Sequence, residues 1–127
     1  MNKKIILVDD NPITLFYNED VIKEIYPNSD ISTYERSADF INDYSDLKFK
    51  EYDSILLFLD LNMPDYLGFE VLEEIEEAVE DISNLSVIIL TSSRMKSDVE
   101  RSKRFVQIKG YIEKPITQEK LQDVLSL

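Results

Sequence analysis

The stretch Ser54-Ile55-Leu56-Leu57-Phe58-Leu59-Asp60 decides the fold: an almost unbroken apolar run closed by an acid. A strand with one wet face alternates apolar and polar residues, whereas a strand covered on both faces reads as continuously apolar. This segment is therefore expected to be a central strand of a parallel sheet. Shorter runs of the same kind stand upstream at Ile5-Ile6-Leu7-Val8 and downstream at Val87-Ile88-Ile89-Leu90. Between them lie longer segments that are apolar at every third or fourth position, and that alternation is the mark of a βα series.

Asn11 as N-cap and Pro12 at the first helical position open a helix whose face is read from Ile13, Tyr17, Val21 and Ile25, with Pro27 closing it. Residues 30–35 suit a weaker edge strand, followed by a helix carrying Ile41, Tyr44 and Leu47. After the loop 61–67, Gly68 permits a tight turn. Phe69, Leu72, Ile75 and Val79 then mark a helix whose opposite face is nearly all glutamate. Met95, Val99, Ser102 and Val106 space out a fourth helix, Tyr111-Ile112 a fifth strand, and Leu121, Val124 and Leu125 a final helix after Pro115. Five right-handed βα units make an α/β, doubly wound five-stranded parallel sheet with helices on both faces, expected as one domain over residues 1–127.

Composition removes many chemistries. With no cysteine and no histidine there is no thiol nucleophile, no imidazole base and no Cys/His zinc site. Two glycines, Gly68 and Gly110, are too few and too far apart for a dinucleotide fingerprint or a P-loop. A formal charge of −12 opposes direct binding to nucleic acid or to an anionic membrane, and leaves protein or cationic partners. No segment approaches a membrane span, and the short run after Lys3 and Lys4 is no signal peptide, so a cytoplasmic location is expected.

Sheets of this type bind ligands at the carboxyl ends of their strands. There the sequence places Asp9-Asp10, Asp60, Thr91-Ser92 and Lys114-Pro115. The acids behind the first strand have two readings, helix capping or a shared cation; Asn11 already fills the cap position. Three carboxylates and one lysine leave a formal charge of −2, which Mg²⁺, an oxygen-seeking ion, neutralises. A carboxylate is also a nucleophile for phosphoryl groups, whose transfer depends on positioning and on cations around the phosphoryl oxygens.

The motifs Leu7-Val8-Asp9-Asp10-Asn11, Leu59-Asp60-Leu61-Asn62-Met63-Pro64, Leu90-Thr91-Ser92 and Tyr111-Ile112-Glu113-Lys114-Pro115 resemble, in this order, those of response-regulator receiver domains of two-component signalling. The likeness covers the whole chain and is to single-domain, CheY-like receivers with the flavodoxin-like strand order 2-1-3-4-5. It implies Asp60 as phospho-acceptor, Asp10 as direct Mg²⁺ ligand, Asp9 as holder of a metal-bound water, and the Asn62 backbone carbonyl as a further ligand. It also implies Thr91 and Lys114 as contacts to the phosphoryl group, Thr91 and Tyr111 as a switch pair, and a cis bond before Pro115. The phosphoryl group is expected from a sensor histidine kinase or a histidine phosphotransfer protein, since this chain has no histidine of its own.

Some positions depart from the family pattern. Leu67 stands where an acid commonly precedes the loop glycine, after Tyr66, and Ser92 stands where alanine is frequent; Asn62 and Ser93 occupy positions that tune phosphate lifetime. Three other classes compete with this reading: an Mg²⁺-dependent aspartyl phosphatase or phosphotransferase, which wants a second acid at position 62; a receiver-like interaction module without phosphorylation; and a flavodoxin-like electron carrier, which wants a hydroxyl-rich loop after the first strand. No output domain is expected, so the signal leaves through protein contacts. From Arg94 to Lys114 the chain has seven basic and three acidic residues, net +4 against −16 elsewhere. That stretch reads either as a solvated helix or as a partner surface on the fourth helix and fifth strand.

Overall fold

The computed structural model describes residues 3–61, 63–91, 100 and 103–125. Within them the order is β1 (Lys3–Val8), α1 (Pro12–Ile25), β2 (Asp30–Tyr34), α2 (Ser37–Ser45), β3 (Ser54–Asp60), α3 (Gly68–Ala78), β4 (Leu85–Thr91), β5 (Ile108–Glu113) and α4 (Gln118–Leu125). The strands pair in parallel in the order β2-β1-β3-β4-β5. Ser54–Asp60 is the central strand, and Ile55 to Asp60 are all buried.

Because successive side chains of a strand point to opposite faces, the sheet divides the interior into two apolar layers. Ile6, Val8, Ile55, Leu57, Leu59, Val87 and Ile89 face α2 and α3, where Phe40, Phe69, Leu72 and Ile75 cover them. Ile5, Leu7, Leu56, Phe58, Ile88, Leu90 and Ile112 face α1 and α4, where Leu15, Ile22 and Leu121 cover them. Each fully buried aliphatic or aromatic side chain contributes about 1.5–3 kcal/mol relative to exposure, so both layers stabilise the sheet. β5 joins β4 with a register shift between Val87 and Ile88, which restores Gly110 and Ile112 to the α1/α4 side.

Several expectations are corrected. The inward face of α1 matches the expected one only in its second half: Leu15, Asn18 and Ile22 are buried and Val21 and Ile25 pack beside them, while Ile13 is 80% exposed and Tyr17 47%. The helix has apolar residues on two sides, and a stripe drawn through every fourth residue follows the outer one at its start. Leu47 lies beyond the end of α2 with φ 60 and is exposed; Ile41 and Tyr44 face inward as expected, together with the fully buried Phe40. Val79 caps the end of α3 instead of continuing it. Gly68 has no positive φ; a side chain there would bring Cβ to 3.1 Å from Leu61 Cα, so close approach is what requires glycine. Val106 sits in a turn and is exposed, and Phe105 is the buried neighbour, stacked on Phe69. Met95, Val99 and Ser102 lie outside the described residues.

Candidate functional site

At the carboxyl edge of the sheet the β1–β2 ladder runs one residue past β1, because Asp9 N donates to Tyr34 O at 3.0 Å. The turn into α1 is then closed by side chains. Asp9 Oδ1 accepts from Asn11 N at 3.0 Å, and Asn11 Oδ1 accepts from Ile13 N at 2.9 Å and Thr14 N at 3.2 Å. Asn11 is thus the N-cap with Pro12 behind it. Asp9 is left 1% exposed, whereas Asp10 faces solvent.

β3 delivers Asp60, which is buried. Its successor is held by Leu61 N donating to Leu90 O at 2.9 Å, and the loop is drawn closed by Gly68 N donating to Leu61 O at 2.7 Å. β5 delivers Lys114, whose backbone N–H donates to Thr91 O at 2.8 Å. Its ammonium lies 2.8 Å from Asp9 Oδ2 and 3.0 Å from Asp60 Oδ2. The Lys114–Pro115 peptide is cis. Lys120 Nζ donates to Glu113 O at 2.9 Å and Pro115 O at 3.3 Å, pinning the chain on either side of Lys114.

One carboxylate oxygen from each of Asp9, Asp10 and Asp60 lies within 4.8 Å of the others, a spacing that can hold a cation. The donor set suits a hard ion such as Mg²⁺, being all oxygen and without cysteine or histidine. Asp9 Oδ2 is buried and lies 2.8 Å from the Lys114 ammonium. Burial alone would lower the Lys114 pKa; the hydrogen bonds and charges of Asp9 and Asp60 outweigh it and hold the ammonium above the ordinary lysine value. Three carboxylates and one ammonium therefore meet at one point, a set able to hold a cation and to offer a carboxylate oxygen as a nucleophile.

Thr91 is buried at the end of β4 and Tyr111 is half-buried on β5, packed against the α2/α3 layer. Register sets Ile89 beside Tyr111 and Thr91 beside Glu113. By strand alternation Thr91 and Tyr111 share the face of Val87 and Ile89, while Asp9, Asp60 and Lys114 follow Leu7, Phe58 and Ile112 on the other. Asn62, Ser92, Ser93, Arg94, Lys96 and Arg101 lie outside the described residues. Of the remaining basic stretch, Lys103 pairs with Glu100, Arg104 lies over the Phe105 ring, and Lys109 donates to Val106 O.

Two supporting residues escaped the sequence reading. Lys120 has no motif around it, and only the fold brings it back to the turn at Lys114. Asp65 accepts from Ala38 N at 2.9 Å and Ser37 N at 3.4 Å, capping α2 from the β3–α3 loop. At the α3 start, Leu67 has no side-chain acceptor, and the cap is completed from the other side by Glu70 Oε1, which accepts from Leu67 N at 2.8 Å.

Comparison with known proteins places this geometry in context. The family model described as the response regulator receiver domain matches residues 5–126. A protein named stress response regulator protein 1 from Candida tropicalis is 30% identical over 102 residues, covering 80% of this chain and 36% of that protein. Its namesake from Clavispora lusitaniae is 28% identical over 95 residues, covering 75% and 47%. The chain thus spans less than half the length of these relatives. Among solved structures, a two-component response regulator from Cytophaga hutchinsonii has a TM-score of 0.84 at 21% identity, covering 98% of this chain and 95% of that one. A CheY-like receiver domain protein from Methanospirillum hungatei has a TM-score of 0.77 at 17% identity, covering 99% and 92%. With the family model spanning nearly the whole chain and the acids, the lysine and the strand order all in place, the chain belongs to the response regulator receiver domain family.

Proposed function

We propose that the protein accepts a phosphoryl group on Asp60 from a phosphohistidine of a sensor histidine kinase or histidine phosphotransfer protein, and that this switches a protein-interaction surface. The observation that carries this reading is the meeting of Asp9, Asp10 and Asp60 within 4.8 Å, with Lys114 bridging Asp9 and Asp60. An Asp60 carboxylate oxygen attacks phosphorus, the P–N bond breaks, and its electron pair leaves with the donor's imidazole. Asp10 and Asp60, with the Asn62 carbonyl, are the residues we assign to hold Mg²⁺, with Asp9 reaching it through water; when bound, the ion would supply positive charge to the phosphoryl oxygens. Lys114 supplies a second charge to the same oxygens.

A protein donor suits the surroundings. Ile13 is 80% and Phe16 76% exposed on the helix that starts just after Asp10, an apolar rim beside a charged site. On the opposite face of the same sheet edge, Thr91 and Tyr111 are the pair we assign to carry the change outward, toward the basic stretch between Arg94 and Lys114. Water attack on the acyl phosphate returns Asp60, so the turnover is of the protein's own modification. A cytoplasmic location is part of this reading.

The test is phosphorylation by acetyl phosphate with and without Mg²⁺, read by intact mass. One phosphoryl group is expected on the wild type in Mg²⁺ and none on Asp60→Asn. Equal labelling of that variant would remove Asp60 as acceptor.

A further inference from the structure

The first turn of α2 lacks a cap of its own. Arg36 occupies the N-cap position with extended backbone, φ −130 and ψ 130, and its side chain makes no capping hydrogen bond. Ser37, the next residue, is completely buried, so water does not reach it to satisfy its N–H. The acceptor comes from elsewhere in the chain. Asp65 spreads its two carboxylate oxygens over Ser37 N and Ala38 N, and its Oδ1 also accepts from Tyr66 N at 3.0 Å within its own loop. The same carboxylate therefore belongs to the start of one helix and to the loop that follows Asp60.

That loop is short and fastened at both ends. Leu61 is tied to β4 and to Gly68, Met63 is buried, and Tyr66 packs on the α2/α3 layer. A Cβ at Gly68 would stand 3.4 Å from the Asp60 carbonyl oxygen, so the end of the loop touches the main chain of the acceptor itself. Asp65 is the lateral fastening between these two points. A shift at Asp65 is passed along a short loop to the chain on which Asp60 is mounted, since Leu61 and Gly68 are hydrogen-bonded to each other at its two ends.

We propose that Asp65 is a positioning residue for the chemistry at Asp60: it ties the loop after the acceptor to the first turn of α2, and so sets the geometry in which the acidic cluster binds its cation. This rests on the phosphoryl-transfer reading above. It also explains how the loop is held with Leu67 in place of an acid: the carboxylate that anchors it sits two residues earlier and reaches across to a different helix.

The cap and the fastening can be separated. Asp65→Ala removes both. Arg36→Asn combined with Asp65→Ala returns a capping side chain to α2 from its own N-cap position, keeps the net charge, and leaves the loop untied. The measurement is the rate of phosphorylation by acetyl phosphate against Mg²⁺ concentration, with the melting temperature of each protein. Asp65→Ala is expected to raise the Mg²⁺ concentration for half-maximal rate by about tenfold, as loss of a supporting carboxylate does at metal sites. The double variant is expected to recover the melting temperature and retain the weakened Mg²⁺ dependence; it also serves if Asp65→Ala alone does not fold. Wild-type Mg²⁺ dependence in Asp65→Ala, or recovery of both properties in the double variant, would reduce Asp65 to a helix cap and overturn the proposal. A wild type that takes no phosphoryl group at Asp60 removes the underlying reading as well, and is distinguished by the Asp60→Asn comparison.

Discussion

The Lys114 ammonium stands between Asp9 Oδ2, 2.8 Å away, and Asp60 Oδ2, 3.0 Å away, so a single cation is shared by carboxylates from two strands. Both acids are buried, and the lysine side chain is only 24% exposed. Lys114→Met would leave two like charges facing each other out of water. We expect a loss of about 3 kcal/mol in the absence of divalent ions, as when one partner of a buried pair is removed. Mg²⁺ should recover more of the melting temperature in this variant than it adds to the wild type, which thermal denaturation with and without the ion would show.

Asp10 is the counterpart at the surface. It faces solvent and caps nothing, since Asn11 makes the cap bonds to α1. Asp10→Asn is expected to raise folding stability in the absence of divalent ions, because it takes one of three clustered carboxylates out of mutual repulsion. The same change removes one charge from a hard-ion ligand set and should weaken Mg²⁺ binding by about tenfold. Titration calorimetry alongside urea denaturation would separate the two effects.

Gly110 on β5 lies directly against Val124 on α4. A Cβ there would lie 2.9 Å from Val124 Cγ1. Gly110→Ala is expected to cost about 1 kcal/mol through overpacking. Adding Val124→Ala should make the double variant less destabilised than the sum of the two single changes, a coupling that a double-mutant cycle measures directly.

The tyrosines give a pH dependence. Burial, with the charge of Asp81 adding to it, pushes the Tyr44 phenol up to about 12. Burial raises Tyr34 as well, helped by its hydrogen bond to Asp43 Oδ2 at 2.5 Å. Each holds its proton more tightly folded than unfolded, so their contribution is complete below pH about 10 and is lost as pH rises through the raised values. With seven tyrosines and no tryptophan, tyrosinate absorbance reads this cleanly. Tyr34 and Tyr44 should ionise last, and Tyr44→Phe should make stability decline less steeply between pH about 10 and 12.

The fold could be read where burial on both faces leaves no room for polar residues. Ile55 to Leu59 and Val87 to Leu90 are continuous runs for that reason, and their terminal residues pointed to the site. Local patterns failed where a helix is apolar on more than one side: Ile13 and Tyr17 follow the helical period as well as Leu15 and Ile22 do, and only packing on the sheet distinguishes them. The end of α2 was misplaced because Leu47 has the composition of a helix residue but adopts φ 60. Strand-end residues were legible since topology collects them at one edge. Asp65 and Lys120 were not, because each acts on a backbone group of another segment, and a side chain that serves a distant amide or carbonyl carries no spacing rule.

The sheet that splits the interior in two also gives the molecule two separable histories. Ile13 and Phe16, beside the acidic cluster, ride on a helix whose buried Leu15 and Ile22 belong to the α1/α4 layer, while Tyr111 rests on the α2/α3 layer. A substitution that reshapes one layer meets the hydrogen-bonded sheet before it meets the other. In the reading proposed above, the surface that meets the phosphoryl donor and the surface that carries the change outward therefore draw their packing from different layers.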